Sequence, residues 1–361
     1  MPDSATISLK DILSGHTRPG SLYRRGEGSR VECYACGHRC SVGPGKAGIC
    51  QVRYNEDGVL FVPWGYVASL QVDPIEKKPF FHALPGSRTL SFGMLGCDYH
   101  CAYCQNWITS QTLRDPEALH LPEIASADDI ISAARSSRSA VVTSTYNEPL
   151  ITSEWGVEVF RRAKSEGLMT AYVSNGNGTP EVVEFLRPWI DLYKIDLKGF
   201  DDRKYRSLGG VLQRVLDTIV AFHRSGVWVE IVTLIVPGFN DSPAELKEIA
   251  QFIRSVSPDI PWHVTAFHAD YRMTDRERTP QEVLLRAVEI GYEEGLRFVY
   301  AGNLPGQFER YENTYCPFCR TLLIERIGFR VMANRMENGA CPKCRSDIPG
   351  VWRKRGAAER G

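Results

Sequence analysis

Between residues 88 and 303 the chain alternates short, continuous apolar runs with longer stretches in which apolar residues recur every three or four positions. The runs, at 89–95, 140–145, 170–174, 191–197, 227–236, 262–267 and 297–300, predict strands buried on both faces. Helix starts are marked between them. Ser242-Pro243-Ala244-Glu245 and Thr279-Pro280-Gln281-Glu282 each offer an N-cap hydroxyl, a proline at the first helical position and a glutamate at the third. Thr179-Pro180 predicts another start, and Ser126 with Asp129 forms a capping box at a fourth. After Ser242, Leu246, Ile249, Ala250 and Ile253 make one apolar helix face. Alternation at this spacing predicts an α/β fold with a parallel sheet, in about six βα units. That is a partial (β/α)6 barrel, TIM-like but short of the eightfold closure.

Outside this core the pattern changes. A short helix is expected at 7–13. Residues 59–70 predict strands broken at Pro63-Trp64-Gly65, and the charged run 73–79 between prolines predicts a surface linker. Past residue 306 a β-rich stretch at 322–332 separates two C-x2-C pairs. The expected organisation is a Cys-rich region and β-rich linker at 1–87, the barrel at 88–306 and a small ribbon at 307–361.

Composition narrows the function classes. With 361 residues, 43% of them hydrophobic, the chain buries a sizeable core. Lys plus Arg and Asp plus Glu both number 43, so the surface is balanced, which disfavours nucleic acid and acidic membranes as partners. The basic cluster Trp352-Arg353-Lys354-Arg355 reads as a solvated tail. No apolar run approaches a bilayer span and the N-terminus is polar, so a cytoplasmic location is expected.

All eleven cysteines fall in clusters, as metal ligands do in a reducing compartment. Cys97, Cys101 and Cys104 follow the first predicted strand as C-x3-C-x2-C. Three thiolates alone do not close a tetrahedral zinc site and suit an iron–sulfur cluster with one iron left open, with a zinc knuckle completed by His100 or Asp98 as the rival. Cys33, Cys36, Cys40 and Cys50 form a glycine-rich knuckle that fits either one zinc or an auxiliary cluster, with His38 as a solvent-facing loop residue. Cys316, Cys319, Cys341 and Cys344 have zinc-ribbon spacing, with a rubredoxin-like iron as the rival. Polar, glycine-rich segments also follow the later strands, at 146–149, 175–178, 196–199, 237–241 and 268–270. They gather on the rim where such barrels carry their chemistry.

The run 73–111, DPIEKKPFFHALPGSRTLSFGMLGCDYHCAYCQNWITSQ, resembles the radical S-adenosylmethionine (SAM) component of the AmmeMemoRadiSam system, a group related to pyruvate formate-lyase activating enzymes. The resemblance continues through TYNEP, VSNGNG, KIDLKGF, VPGFND, PWHVTAFH, YAGNLPG and Ile348-Pro349-Gly350-Val351-Trp352, and covers about 31–352. It implies a radical SAM barrel with a [4Fe–4S] cluster on Cys97, Cys101 and Cys104, and SAM chelating the fourth iron. Tyr103 stands in the aromatic position of the cluster motif. Tyr146, Asn147 and Glu148 occupy the stretch that meets the SAM amino group, and Ser174 and Asn175 the third-strand SAM contacts. Asp196 and Lys198 match the fourth-strand D-L-K, and His268 a histidine near the ribose. Two departures stand out. Val173 replaces the aspartate of D-T-N-G, and Ala266-Phe267-His268-Ala269 replaces Arg-Phe-His-Pro.

The implied reaction is reductive cleavage of SAM to a 5′-deoxyadenosyl radical that abstracts hydrogen, fed by flavodoxin or ferredoxin. The implied targets are a partner protein to be activated, or chemistry shared with the other two proteins of the system. An RNA- or cofactor-modifying radical enzyme and a non-catalytic, metal-bound scaffold are the alternatives.

Overall fold

A computed structural model describes residues 8–353 except Pro305 and Glu309. An eight-stranded sheet forms its centre. Strands β1 (Ser69–Pro74), β2 (Arg88–Gly93), β3 (Val141–Ser144), β4 (Met169–Ser174), β5 (Leu192–Asp196), β6 (Trp228–Ile235), β7 (Trp262–Ala266) and β8 (Val299–Gly302) lie in that order across it. β1 runs antiparallel to β2, and all neighbours from β2 to β8 are parallel. Among the described residues β8 and β1 do not pair, so the barrel stays open.

Six of the helices follow β2 to β7 in turn: α1 (Ala127–Ser136), α2 (Ser153–Ser165), α3 (Pro180–Leu186), α4 (Leu212–Arg224), α5 (Pro243–Val256) and α6 (Gln281–Glu293). The expected six βα units are present, and the fold is the expected partial barrel. The strands read as unbroken apolar runs because helices cover one face and the barrel interior the other. Trp262, Tyr172, Tyr193 and Phe222 are fully buried, with Tyr193 stacked on Phe222 at 4.2 Å. On α5 the predicted face is buried at Leu246, Ile249, Ala250 and Ile253.

Local chemistry sets the helix starts. Ser126, Thr179 and Ser242 each accept a backbone N–H as predicted, and Ser126 closes its box with Asp129. Thr279 does not cap α6, which begins one residue later than the pattern suggests. Its hydroxyl instead accepts from Phe267 N–H at 2.8 Å and donates to Ile235 O, tying the ends of β6 and β7. The charged run 73–79 is no surface linker either. Asp73 ends β1, and Asp73, Glu76 and Lys78 are buried because each has an ionic partner. The first helix spans Leu9–Ser14, and Ile7 lies outside the described residues, as do Lys354 and Arg355.

Two smaller units pack on the barrel. The N-terminal residues form two three-stranded antiparallel sheets around the first cysteine group. They are latched to α2 by Arg53, whose guanidinium grips Glu154 at 2.7 and 2.8 Å in a buried, bidentate pair. At the other end β9 (Thr314–Tyr315), β10 (Leu322–Ile327) and β11 (Arg330–Asn334) form a twisted antiparallel ribbon. Arg326 on β10 reaches back to Phe81 O at 2.7 Å and pairs with Glu76 at 3.6 Å, both side chains fully buried. His82 bridges Pro349 O at 2.7 Å and the Tyr300 hydroxyl at 2.6 Å. Among the described residues no helix is long and apolar enough to cross a membrane.

Candidate active site

At the C-terminal ends of the strands lies a cavity of about 640 Å3. Cys97, Cys101, Tyr103 and Cys104 enter it from the loop after β2, and Tyr146, Asn147 and Glu148 from the turn after β3. Ser174 and Asn175 end β4, Asp196 and Lys198 end β5, and His268 follows β7. All twelve rim residues singled out from the sequence therefore line one space. The eight remaining cysteines lie outside its lining.

Glu148 is the most constrained acid of the rim. Its carboxyl accepts from Leu150 N–H at 3.0 Å, the Ser174 hydroxyl at 2.7 Å and Asn175 N–H at 2.8 Å. Burial, and then the neighbouring Asp98 carboxylate, push it up to about 8. Asp98 sits behind, fully buried, accepting from Asn175 Nδ2 at 2.7 Å and Asn177 Nδ2 at 2.8 Å. Asn147 is partly committed to backbone, accepting Met94 N–H at 3.0 Å through Oδ1. Tyr146 holds a positive φ of 70°, a strained conformation for a tyrosine. Its hydroxyl donates to Asp73 at 3.0 Å, and the Lys78 ammonium lies 4.3 Å from its ring centre.

On β5, Lys194 and Asp196 point to the same face and bond directly, and Lys198 adds a second ammonium at 3.3 Å. Burial alone would raise the Asp196 carboxyl, but the two ammonium groups hold it below its ordinary value. Burial likewise works against the Lys198 ammonium, and Asp196 more than restores it. The sequence reading passed over Lys194, Lys78, Glu76 and Phe329, which also line the cavity. Alternation in K-I-D-L-K was the available signal for Lys194. Phe329 comes from the ribbon turn between β10 and β11, so the small C-terminal unit forms part of the cavity wall.

The three cavity thiols are suited to a metal cluster. Burial pushes all three up, Cys101 to about 12, so they are stable thiolates only when a metal neutralises them. Cys97 Sγ accepts Tyr99 N–H at 3.3 Å, and Cys104 Sγ lies 3.2 Å from the Ser110 hydroxyl. Such bonds to sulfur stabilise ligating thiolates. They are not drawn together as ligands of one ion are. Among the described residues, the group of metal-ligating side chains gathered within 4.8 Å is Cys316, Cys319, Cys341 and Cys344, with Sγ–Sγ contacts of 3.5 and 3.6 Å.

A family model described as the radical SAM superfamily matches residues 93–253, from the end of β2 into α5. An uncharacterized protein of Methanocaldococcus jannaschii is 35% identical over 335 residues, covering 92% of this chain and 98% of that protein. The pyruvate formate-lyase-activating enzyme of Clostridium pasteurianum is 27% identical over 210 residues, 55% of this chain and 87% of that enzyme. The chain belongs to the radical SAM superfamily. It is a radical SAM enzyme related to pyruvate formate-lyase activating enzymes, and the superfamily implies a [4Fe–4S] cluster and SAM. Among solved structures, Streptococcus suis SuiB bound to S-adenosylmethionine superposes with a TM-score of 0.49 at 17% identity, covering 68% of this chain and 56% of that one.

Proposed function

We propose that Cys97, Cys101 and Cys104 hold the [4Fe–4S] cluster and that the adjoining rim binds SAM. The observation that carries this reading is the meeting of three thiols, one buried and two partly so, with carboxyls, amides and ammonium groups in one cavity. When bound, the cluster delivers the electron that splits SAM into methionine and a 5′-deoxyadenosyl radical. The chain's own residues supply binding and orientation. Glu148 and Asn147 suit the SAM amino group, Lys198 suits its carboxylate, and His268 lies on an exposed loop of the lining. Tyr103, buried against Phe239 at 5.9 Å, and the surrounding apolar walls keep water from the cleft.

Lys77, Lys78, Thr265 and Phe329 also line the cavity and would hold the substrate. Kinship with activating enzymes supports a partner protein as that substrate, and a flavodoxin or ferredoxin as electron donor. Zinc at Cys316, Cys319, Cys341 and Cys344 fits their close packing, since four thiolates about 2.3 Å from one ion stand about 3.8 Å apart.

The test is anaerobic reconstitution followed by chromatography for 5′-deoxyadenosine under reducing conditions. Wild-type protein is expected to form it and Cys101→Ala to lose both cluster absorbance and product. Unchanged SAM cleavage by Cys101→Ala would overturn the assignment, and no cleavage by iron-loaded wild type would leave a metal-bound scaffold.

A further inference from the structure

The N-terminal cysteines lie directly behind the cluster loop. Gly37, next to Cys36, donates its N–H to Asn177 O at 2.7 Å, and Asn177 in turn donates to Asp98, the neighbour of Cys97. A side chain on Gly37 would meet Asn177 Oδ1 at 2.3 Å, so only glycine allows this approach. His38 is half-buried rather than fully solvent-facing, and places Nε2 3.2 Å from Asp98 O. Gly96, just before Cys97, has a φ of 94°, and a Cβ there would lie 3.1 Å from Cys50 O. Arg114 spans the junction, donating to Tyr99 O at 2.8 Å and to Ile49 O. The backbone at Cys50 thus lies against that of Gly96 in the cluster loop, and the His38 ring lies against Asp98 O.

The knuckle also differs from the C-terminal one. Its four cysteines share one fold unit, with Cys33, Cys36 and Cys50 buried and Cys40 partly so. Yet among the described residues only the C-terminal four come within 4.8 Å of one another. A single tetrahedral ion holds its thiolates about 4 Å apart, whereas several irons, each taking one thiolate, spread them wider. Cys40 Sγ also accepts Ile49 N–H at 3.4 Å, the kind of bond made to Cys97 in the cavity.

We propose that Cys33, Cys36, Cys40 and Cys50 bind a second iron–sulfur cluster, and that electrons enter the active site through it. The inference rests on the assignment of the first cluster above. The outer face of the knuckle exposes Pro44 and Lys46, while its inner face abuts the cluster loop. A low-potential one-electron protein donor reduces the second cluster at that outer face. The second cluster is then oxidised by one electron as the first is reduced by one, with no bond made or broken in the relay.

The test is iron and sulfide analysis with electron paramagnetic resonance on the full-length protein, reconstituted anaerobically. Wild type is expected to hold about eight irons, and the Cys97, Cys101 and Cys104 triple alanine variant about four, with a reduced-state signal that SAM does not alter. Cys36→Ser/Cys40→Ser is expected to keep about four irons and a SAM-responsive signal. Its reduction by flavodoxin or ferredoxin should slow tenfold or more while dithionite reduction changes less than about twofold. Folded wild type with about four irons and two zincs overturns the second cluster, whatever the variants do. Unchanged reduction rates in the double variant overturn the relay. If wild type holds eight irons but neither signal responds to SAM, the first assignment fails and the second stands.

Discussion

Glu148 is an acid held by three donors yet raised in pKa, because burial and the Asp98 charge outweigh those bonds. The fold therefore favours its neutral form. That contribution to stability is complete below the ordinary value of 4.5 and is lost as the pH rises through about 8. An arriving amino group that donates N–H bonds has the opposite preference and displaces the proton. SAM affinity is accordingly expected to rise with pH, by at most about tenfold per unit, and to level off above about 8. Glu148→Gln should bind more weakly at pH 8 and show no slope. Calorimetric titration in two buffers of different ionisation enthalpy measures the released proton directly, and no release at neutral pH would refute the coupling. The residues of this rim were legible because they follow strand ends as polar, glycine-rich segments. Asp98 and Asn177 were not assigned roles, since what they do is hold Asn175 and the knuckle, and those contacts join separate parts of the sequence.

Among elements, the ribbon β9–β11 depends on contacts that local pattern does not disclose. Residues 73–79 look like surface because a run of charges ordinarily stays in water. Here Glu76 is buried opposite Arg326, which also donates to Phe81 O and to the Thr314 hydroxyl at 2.8 Å. The strands were readable from their own residues because burial on both faces demands continuous apolar runs. The burial of Glu76, just beyond β1, required a partner contributed by β10. Removing that partner leaves a buried carboxyl unpaired, so Arg326→Ala is expected to cost about 3–5 kcal/mol, whereas Glu76→Gln/Arg326→Met should recover part of it. Urea unfolding and hydrogen exchange over the ribbon measure this, and protection unchanged in Arg326→Ala would show that the pair is dispensable. His82 is a second latch. Burial pushes its pKa down to about 4, so its stabilisation is full above 6.5 and is lost as the pH falls through about 4. Loss of about 3 kcal/mol across that window is expected, absent in His82→Phe, and is readable as acid release of the ribbon by near-ultraviolet circular dichroism.

In the whole molecule the open barrel is gripped from two sides, and the two grips do different things. The N-terminal unit abuts the backbone of the cluster loop, and Arg53–Glu154 keeps it there. The ribbon reaches the cavity as well, where Phe329 joins Lys77 and Lys78 in the lining. Metal in the ribbon is therefore expected to govern substrate binding and leave SAM binding intact. Cys344→Ser, at the most exposed of its four thiols, should lower the zinc count by about one per chain without changing iron content or the spectroscopic response to SAM. With the ribbon loosened, water gains entry at Phe329, and SAM cleavage unlinked to substrate turnover should rise severalfold. Phe329→Ala, which leaves the four thiols in place, should reproduce that rise with zinc retained. Metal analysis beside a 5′-deoxyadenosine assay run without substrate separates the outcomes. If Cys344→Ser loses zinc but Phe329→Ala and Cys344→Ser both cleave SAM at the wild-type rate, the ribbon is a fold staple and plays no part in closing the cavity.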